Sequence, residues 1–540
     1  MFVRRIFVLI LIVNSSPSLL RAQDEHSNHA PPPSIPIELL KRPVALRSGI
    51  GAVHEAVTTS SKDAQAFCDQ GVTYLHSYVW IEAARSFYQA LRYDSKLSMA
   101  YVGLSRAFSG LGISSAARAA VEQAALFEAG ATARERRRIA LRARQLDAIA
   151  DPVDSTKFSE YKKAMDDALA ADPGDVELWL LRGNAEEANA AGHGLHGAES
   201  SIGFYERALK LSPDHLAAHH YLIHSYENSG KIEEALKHAE AYVRLAPAIP
   251  HAHHMYGHDL RRVGRIEDAI AQFRTANQLE IEYYKTENIP SEFDWHHEHN
   301  IDLLATSYQY QGRMKLAEEL MKSAFSVPSM QDTLEFNKKQ WPAFLLLRGR
   351  SEEALVASKL LTNSHWDIVR SIGHVMTSHA LLTLNRTAEA GQEAKAALSE
   401  VQGSASHVQF VAPYLEALRG EFLLRTGKTD EGRLLLMEVE KKLRLEKGPD
   451  EWVESLFKLE GIARTAREAG DWQLAGYTAK QMFEHDPSYA GTHYALAMSA
   501  EHNRDLVTAL KEFVLAGKYW RKADADLPEL VVIKSKTAHK

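Results

Sequence analysis

Apolar and polar residues follow one another along this chain with the period of an amphipathic helix, and the whole pattern recurs every 34 residues. The recurring small and large positions include Ala83, Phe87 and Ala90; Ala117, Val121 and Ala124; Tyr226, Gly230, Ala235 and Ala239; and Leu260, Gly264, Ala269 and Phe273. Each unit contains two apolar-periodic runs joined at a glycine, with alanine where two helices must cross closely. The pattern predicts helical hairpins from residue 64 to residue 520, without a β-sheet.

About twelve such units fit into the chain, and hairpins of this kind cannot bury their apolar faces alone. The pattern of small and large positions resembles that of the tetratricopeptide repeat family, and the resemblance covers most of the sequence. The resemblance implies an all-α fold, an α-solenoid of about twelve hairpins in a right-handed superhelix. The first helix of each hairpin would then line a concave groove.

Composition and charge exclude some kinds of binding partner and some kinds of metal site. The chain has 540 residues, of which 45% are hydrophobic and 25% charged, as in a folded protein. A net charge of −7 provides no basic field for nucleic acid, so we expect none as a partner. The single cysteine, Cys68, excludes an internal disulfide and a thiolate zinc site. Any metal site must therefore use histidine and carboxylates.

The first residues have the order of charges expected of an export signal. Arg4 and Arg5 precede an apolar run at 6–13 and then a polar stretch, which predicts a signal peptide at 1–22 and export to the periplasm or medium. The segment is compatible with two export routes, the general secretory route and the twin-arginine route. The run is too short to span a bilayer, so we expect no transmembrane segment in the mature chain. We assign an extended leader at 23–63, repeats at 64–175, 176–331 and 332–520, and a tail at 521–540.

Histidine is concentrated in the central repeats, with 14 of the 26 histidines between residues 193 and 299. If the turn glycine is the fifteenth place of its unit, His220 and His224 take places five and nine. His254 and His258 take the same two places of the next unit, so the pairing repeats between neighbours.

The remaining candidates fall on the same stripe of the first helices. Places two, five, nine and twelve lie within an arc of roughly 80° at about 100° per residue, away from the places that pack the hairpin. The residues predicted to project into the groove are His220, His224, Glu227, His251, His254, His258, His299 and Asp302. Place four instead packs the hairpin, which predicts a seam role for His219, His253, His374 and His493.

Paired imidazoles of this kind are suited to a transition metal. Two histidines at i and i+4 can meet on one ion, and helices about 9–10 Å apart can complete the ligand set for Zn, Cu, Ni or Fe. The candidate metal ligands are His220, His224, Glu227, His251, His254, His258 and His299. His193, His196, His296, His297 and Asp302 are candidates for further ligands or ligand-binding groups. The alternatives are a polar groove for a peptide or sugar, and buried histidines that hold the superhelix together.

The segment 218–260 is also similar to a group of exported bacterial repeat proteins, mostly of unassigned role. The similarity lies in the segments His220-Tyr221-Leu222-Ile223-His224 and His251-Ala252-His253-His254 and in the pair His299-Asn300. This chain departs from the group by carrying Met255-Tyr256-Gly257-His258 where Met-Pro-Ser-His is expected. The similarity implies a shared groove site and no known activity.

Two hypotheses follow from these residues. The leading one is an exported scaffold that binds a peptide or protein partner in its concave groove. The alternative is a histidine-rich metal-binding protein or metalloenzyme with its site in the central repeats. The sequence has no zincin motif, no P-loop and no G-x-S-x-G, so it names no reaction, and the first hypothesis implies no enzyme activity.

Overall fold

The computed structural model describes residues 34–197, 199–445 and 449–538. Within these residues all the regular structure is helical and none is β-strand, as the sequence predicts. The predicted signal peptide at 1–22 and the first part of the leader, 23–33, lie outside the described residues. No helix in the described ranges combines the length and the apolar character needed to cross a lipid bilayer.

The helices follow one another along the chain and are numbered here in that order. They are α1 (Ile37–Leu40), α2 (Lys62–His76), α3 (Trp80–Tyr93), α4 (Ser98–Gly110), α5 (Ser114–Leu126), α6 (Ala133–Ala150), α7 (Ser155–Ala171), α8 (Val176–Asn184), α9 (Ile202–Leu211), α10 (Leu216–Asn228), α11 (Ile232–Leu245), α12 (Pro250–Arg262), α13 (Ile266–Glu287), α14 (Trp295–Tyr310), α15 (Met314–Ser326), α16 (Asp332–Asn337), α17 (Gln340–Leu347), α18 (Ser351–Leu361), α19 (Asp367–Thr383), α20 (Thr387–Val401), α21 (Ala405–Arg425), α22 (Thr429–Leu443), α23 (Pro449–Glu468), α24 (Trp472–His485), α25 (Ala490–His502), α26 (Leu506–Tyr519) and α27 (Pro528–Thr537).

Consecutive helices pair into hairpins, and the hairpins stack into an all-α solenoid. Seven hairpins run from α2–α3 to α14–α15 and five from α17–α18 to α25–α26, so the described residues contain the twelve units predicted from the 34-residue period. The short α16 lies between the two sets, and α27 packs against α26. The fold is therefore an all-α solenoid of helical hairpins, as the sequence predicts.

Small residues stand where the two helices of a hairpin approach most closely. A Cβ atom added to Gly257 would lie 2.6 Å from the ring of Phe273, and one added to Gly71 would lie 2.7 Å from Phe87. Both contacts are too short for any side chain, so glycine is needed where the ring of the second helix crosses the first. This explains the glycine in the segment Met255-Tyr256-Gly257-His258.

A residue with left-handed backbone lies two positions before the second helix in ten of the hairpins. Seven of these turns use glycine with φ between 72° and 84°, namely Gly112, Gly230, Gly264, Gly312, Gly349, Gly427 and Gly470. Tyr78, Asn385 and Arg504 occupy the same place with φ of 58°, 60° and 63°. A bulky side chain is rare in this region because it crowds the backbone. Tyr78, at the first turn, is thus a strained exception with a buried side chain.

The described part of the predicted leader, residues 34–61, is packed against the inner helices. The backbone N–H of Ala248 donates to the carbonyl of Gly49 at 2.8 Å, and the N–H of Val53 donates to Oγ1 of Thr73 at 3.2 Å. Farther along, the backbone N–H of Thr58 donates to a carboxylate oxygen of α6 at 2.7 Å. This segment thus bonds to the first and third hairpins and to the turn between the fifth and sixth.

Hydrogen bonds also join hairpins that are far apart along the chain. His76 of α2 lies 2.8 Å from Glu177 of α8 and 2.9 Å from the hydroxyl of Tyr221 of α10. Farther along the chain, the backbone N–H of Asp524, after α26, donates to the carbonyl of Gly312, in the turn of the seventh hairpin, at 3.0 Å. The first helices of hairpins five, six and seven, which are α10, α12 and α14, therefore lie inside the molecule.

Candidate metal centre

Seven imidazoles from three neighbouring first helices form a continuous row. Helix α10 contributes His220 and His224, α12 contributes His251, His254 and His258, and α14 contributes His296 and His299. From His224 the row passes through His220, His251 and His296 to His254, whose ring contacts both His258 and His299. The centroids of the rings joined in this way lie 4.3–5.0 Å apart. We call these seven residues the histidine row.

Six of the seven rings are buried and His299 is half-buried, so the row does not line an open groove. The exposed fraction is 0% for His220 and His254, 3% for His251 and His258, and 6% for His224. The periodicity predicts that these residues share one side of the helices, but the contact between the first and fifth hairpins covers that side. The ring of Tyr78, held at the strained turn, is part of this cover, with its centroid 5.3 Å from that of His251.

The first triad brings together three Nε2 atoms. Nδ1 of His220 lies 2.6 Å from the carbonyl oxygen of His76, which can only accept, so this nitrogen carries the proton. Nε2 of His220 then presents a lone pair, and it lies 3.1 Å from Nε2 of His224 and 2.9 Å from Nε2 of His251. Ligand nitrogens on a tetrahedral zinc ion are about 3.3 Å apart for bonds of about 2.0 Å. The three atoms are therefore close to the spacing of a bound metal's ligands.

The second triad contains His251, His254 and His296, with one nitrogen of each within 4.8 Å of the others. Nδ1 of His254 is 3.1 Å from Oδ1 of Asn300, whose Nδ2 donates to the carbonyl of Phe273 at 3.0 Å. That bond fixes the orientation of the amide, so Nδ1 of His254 is the donor.

His296 is held in the same way from the other side of the row. Its Nδ1 bonds to a carboxylate oxygen of Glu280, which lies on the extra length of α13. Nε2 of His254 and Nε2 of His296 are buried and have no hydrogen-bond partner. Fixing one nitrogen from outside and leaving the other for the ion is the usual arrangement of metal-binding histidines.

The third triad contains His254, His258 and His299, again with one nitrogen of each within 4.8 Å of the others. Nδ1 of His258 lies 3.3 Å from Oε1 of Glu227, and Nδ1 of His224 lies 3.8 Å from Oε2 of the same carboxylate. Glu227 thus faces Nδ1 of one histidine in the first triad and Nδ1 of one histidine in the third. Its position suits an anchor for two imidazoles better than a ligand.

The five imidazoles that α10 and α12 contribute to the row are uncharged at neutral pH. Burial, opposed only by the hydrogen bond to the carbonyl of His76, lowers the pKa of His220 to about 3. Burial and then the neighbouring imidazoles lower the pKa values of the other α10 and α12 members of the row well below the ordinary value. Burial and the adjacent Glu227 raise the pKa of Asp259 well above its usual range. Neutral imidazole is the form that binds metal.

Besides Glu227, four of the predicted site residues lie outside the three triads. The ring of His193 packs on Trp80, and burial lowers its pKa to about 3. His196 is exposed on the glycine-rich loop. Nδ1 of His297 lies 2.8 Å from the second carboxylate oxygen of Glu280. Asp302 lines a cavity of about 20 Å³ beside His299, large enough for a water molecule.

The four histidines predicted at the seam are separate from the row, which confirms the register. Each bonds to the residue 19 positions later on the second helix of its own hairpin, in the pairs His219–His238, His253–Gln272, His374–Glu393 and His493–Glu512. Three of them also bond to the carbonyl oxygen six positions earlier, at Pro213, Pro247 and Pro487. They join the two helices of a hairpin and are not directed at a ligand.

Sequence reasoning did not identify several residues that hold the row in place. These are His76, Tyr78, Glu280, Trp295 and the side chain of Asn300. A tyrosine in the place of a turn glycine is the one local signal that marks Tyr78. The others act across hairpins or from the extra turns of α13, so no local spacing points to them.

Comparison with known proteins adds little to this picture. No protein-family model and no curated protein sequence matches the chain. Among solved structures, the chain is similar to the crystal structure of yeast Tom70, which it matches over 88% of its own length and 96% of that chain. The identity is 12% and the TM-score 0.32.

Proposed function

We propose that this chain is a transition-metal-binding protein that holds its metal between imidazoles inside a helical-repeat scaffold. The supporting observation is the first triad, in which the tautomer of His220 is fixed and its lone pair points at Nε2 of His224 and of His251. Polar nitrogens buried without partners are costly, and the row contains several. A metal ion satisfies the lone pairs of three nitrogens at once.

The donor set favours copper or zinc over the other candidate metals. The ligand atoms available in the triads are imidazole nitrogens, whereas iron sites commonly include a carboxylate. Glu227 faces Nδ1 of His258 and Glu280 bonds to Nδ1 of His296, and a carboxylate in such a place fixes the orientation of a ligand and increases its basicity. An ion with three imidazole ligands keeps an open position, at which it can polarise a substrate or activate water.

Titration of apo-protein with Cu²⁺ and with Zn²⁺ tests this proposal. We expect binding with micromolar or better affinity and a higher melting temperature, because an ion that binds only the folded chain stabilises it. His220→Gln should weaken binding by at least tenfold. His253→Gln is the matched control, since this histidine lies on α12 but points to the seam. Millimolar affinity, or equal affinity in the two variants, would contradict the proposal.

The second candidate is the scaffold for a peptide or protein partner, which a repeat fold also supports. It is favoured by a cavity of about 440 Å³ among the C-terminal hairpins, with an apolar floor that includes Leu346, Met376, Leu436 and Phe457. In the N-terminal half the chain's own residues 49–58 bond to the first and third hairpins and to the turn between the fifth and sixth. Hydrogen exchange of α21 and α23 in the presence of exported proteins would test this candidate. Protection should be lost in Met376→Trp, which fills the cavity.

A further inference from the structure

We propose that the histidine row holds two copper ions at once, one in the triad of His220, His224 and His251 and one in the triad of His254, His258 and His299. This inference rests on the proposed metal binding and goes further by assigning the number of ions and their positions. Three observations support it: the two triads are equivalent in the repeat, they share no residue, and a seventh imidazole lies between them.

The equivalence follows from the 34-residue period. His220 and His224 become His254 and His258 after a shift of 34 positions, and each pair lies on the first helix of its hairpin. The third member of each triad comes from the start of the next first helix, at the second place of its unit. The molecule has thus built the same three-histidine arrangement twice, in successive hairpins.

The two triads can be filled independently because no imidazole belongs to both. They are also adjacent, since the ring centroids of His251 and His254 are 5.6 Å apart. The two ions would therefore lie close enough to interact magnetically. The first triad is fully buried, whereas His299 of the other is half-buried and lines the small cavity at that end of the row.

His296 is the seventh imidazole. Its ring centroid lies 4.8 Å from that of His251 and 4.7 Å from that of His254, so it faces one member of each outer triad. Its Nδ1 is held by Glu280 and its buried Nε2 has no hydrogen-bond partner. This nitrogen is placed to complete the coordination of an ion on either side.

The competing arrangement is a single ion in the middle triad of His251, His254 and His296. That ion would take one ligand from each outer triad and would leave neither outer triad complete. One-ion and two-ion loading therefore exclude each other, and the number of bound ions distinguishes them.

The experiment is a titration of the apo-chain with Cu²⁺, followed by metal analysis and electron paramagnetic resonance. We expect two equivalents of copper in the wild type and one in each of His224→Ala and His258→Ala, which each damage one outer triad. The wild-type spectrum should be broadened or lost because the two ions couple. Each single variant should recover the spectrum of one isolated Cu²⁺. His253→Ala should keep two coupled ions.

The outcomes separate the two proposals. One equivalent in the wild type that persists in both single variants would overturn the two-ion arrangement and leave metal binding intact. Two equivalents without coupling would overturn the adjacency of the two ions. No tight binding at all would overturn metal binding itself. If an alanine variant fails to fold by circular dichroism, His224→Gln and His258→Gln serve in its place.

Discussion

The ring of Tyr78 packs edge-on against the imidazole of His220, with 4.5 Å between the ring centroids. Tyr78 holds this position from a turn with φ of 58°, where seven other hairpins carry glycine. Backbone strain of this kind costs about 1–3 kcal/mol and persists only where the surrounding contacts enforce it. The strained turn places an aromatic cover on the first triad, which a glycine cannot provide.

The first prediction concerns this turn. Tyr78→Gly should relieve the strain but lose a buried aromatic ring, and the free energy of unfolding should fall by about 2–4 kcal/mol. Affinity for Cu²⁺ should fall with it, because the imidazoles of His220 and His251 lose their cover. Arg504→Gly is the control at an exposed turn of the same geometry, with an expected gain of about 1 kcal/mol and unchanged affinity. Unchanged copper affinity in Tyr78→Gly would show that the ring does not organise the site.

The second prediction is that apo-protein unfolds in mild acid. The pKa values of five histidines of the row are lowered when folded, so these residues stay neutral in the folded chain, whereas the unfolded chain protonates them below about pH 6.5. Stability is therefore complete above pH 6.5 and is lost as the pH falls toward the folded pKa values. Each of these groups lowers the free energy of unfolding by about 1.4 kcal/mol per pH unit in this range, so five together lower it by about 7 kcal/mol per pH unit.

That slope is large compared with the usual stability of about 5–15 kcal/mol, so the helical circular dichroism of apo-protein should be lost between about pH 4 and 6. Bound Cu²⁺ should move the midpoint to lower pH, because the ion binds only the folded state. A triple variant, His224→Gln with His254→Gln and His258→Gln, should show a shallower slope. A wild-type transition as shallow as that of the variant would count against buried neutral imidazoles.

The third prediction compares an anchor with a ligand. Glu227→Gln removes the charge that faces Nδ1 of His258 and of His224, and copper affinity should fall by about 10–100-fold. His258→Ala removes a ligand, so the affinity for the ion in its triad should fall further than it does in Glu227→Gln. Calorimetric titration of both variants gives the ratio. A greater loss in Glu227→Gln would make this carboxylate a direct ligand.

The fourth prediction separates the seam from the row. His219→Ala and His253→Ala each remove two hydrogen bonds within a hairpin and should lower the free energy of unfolding by about 1–3 kcal/mol in urea. Neither should change copper affinity. His224→Ala and His258→Ala should chiefly affect copper. Loss of copper in a seam variant would mean that the register of the repeat is wrong.

The sequence by itself determined the hairpins, their number and the side of the helix on which each histidine lies. These properties depend on local periodicity, since a 34-residue phase specifies which positions pack a hairpin and which face the next one. For the same reason the separation of His219 and His253 from His220 and His254 was predictable. The recurrence of the histidine pair of α10 on α12 was predictable too, since the two helices are one 34-residue unit apart.

The tertiary structure decided that the row is buried and how each ring is held. The contact of α2 with α8 and α10 closes the concave side, and it joins residues more than a hundred positions apart. The extra turns of α13 place Glu280 behind His296, and Asn300 reaches back to His254 from the next hairpin. Such contacts depend on how the hairpins stack around one another. A periodic pattern describes only one hairpin and its immediate neighbour, so the burial and the tautomers of the row come from packing alone.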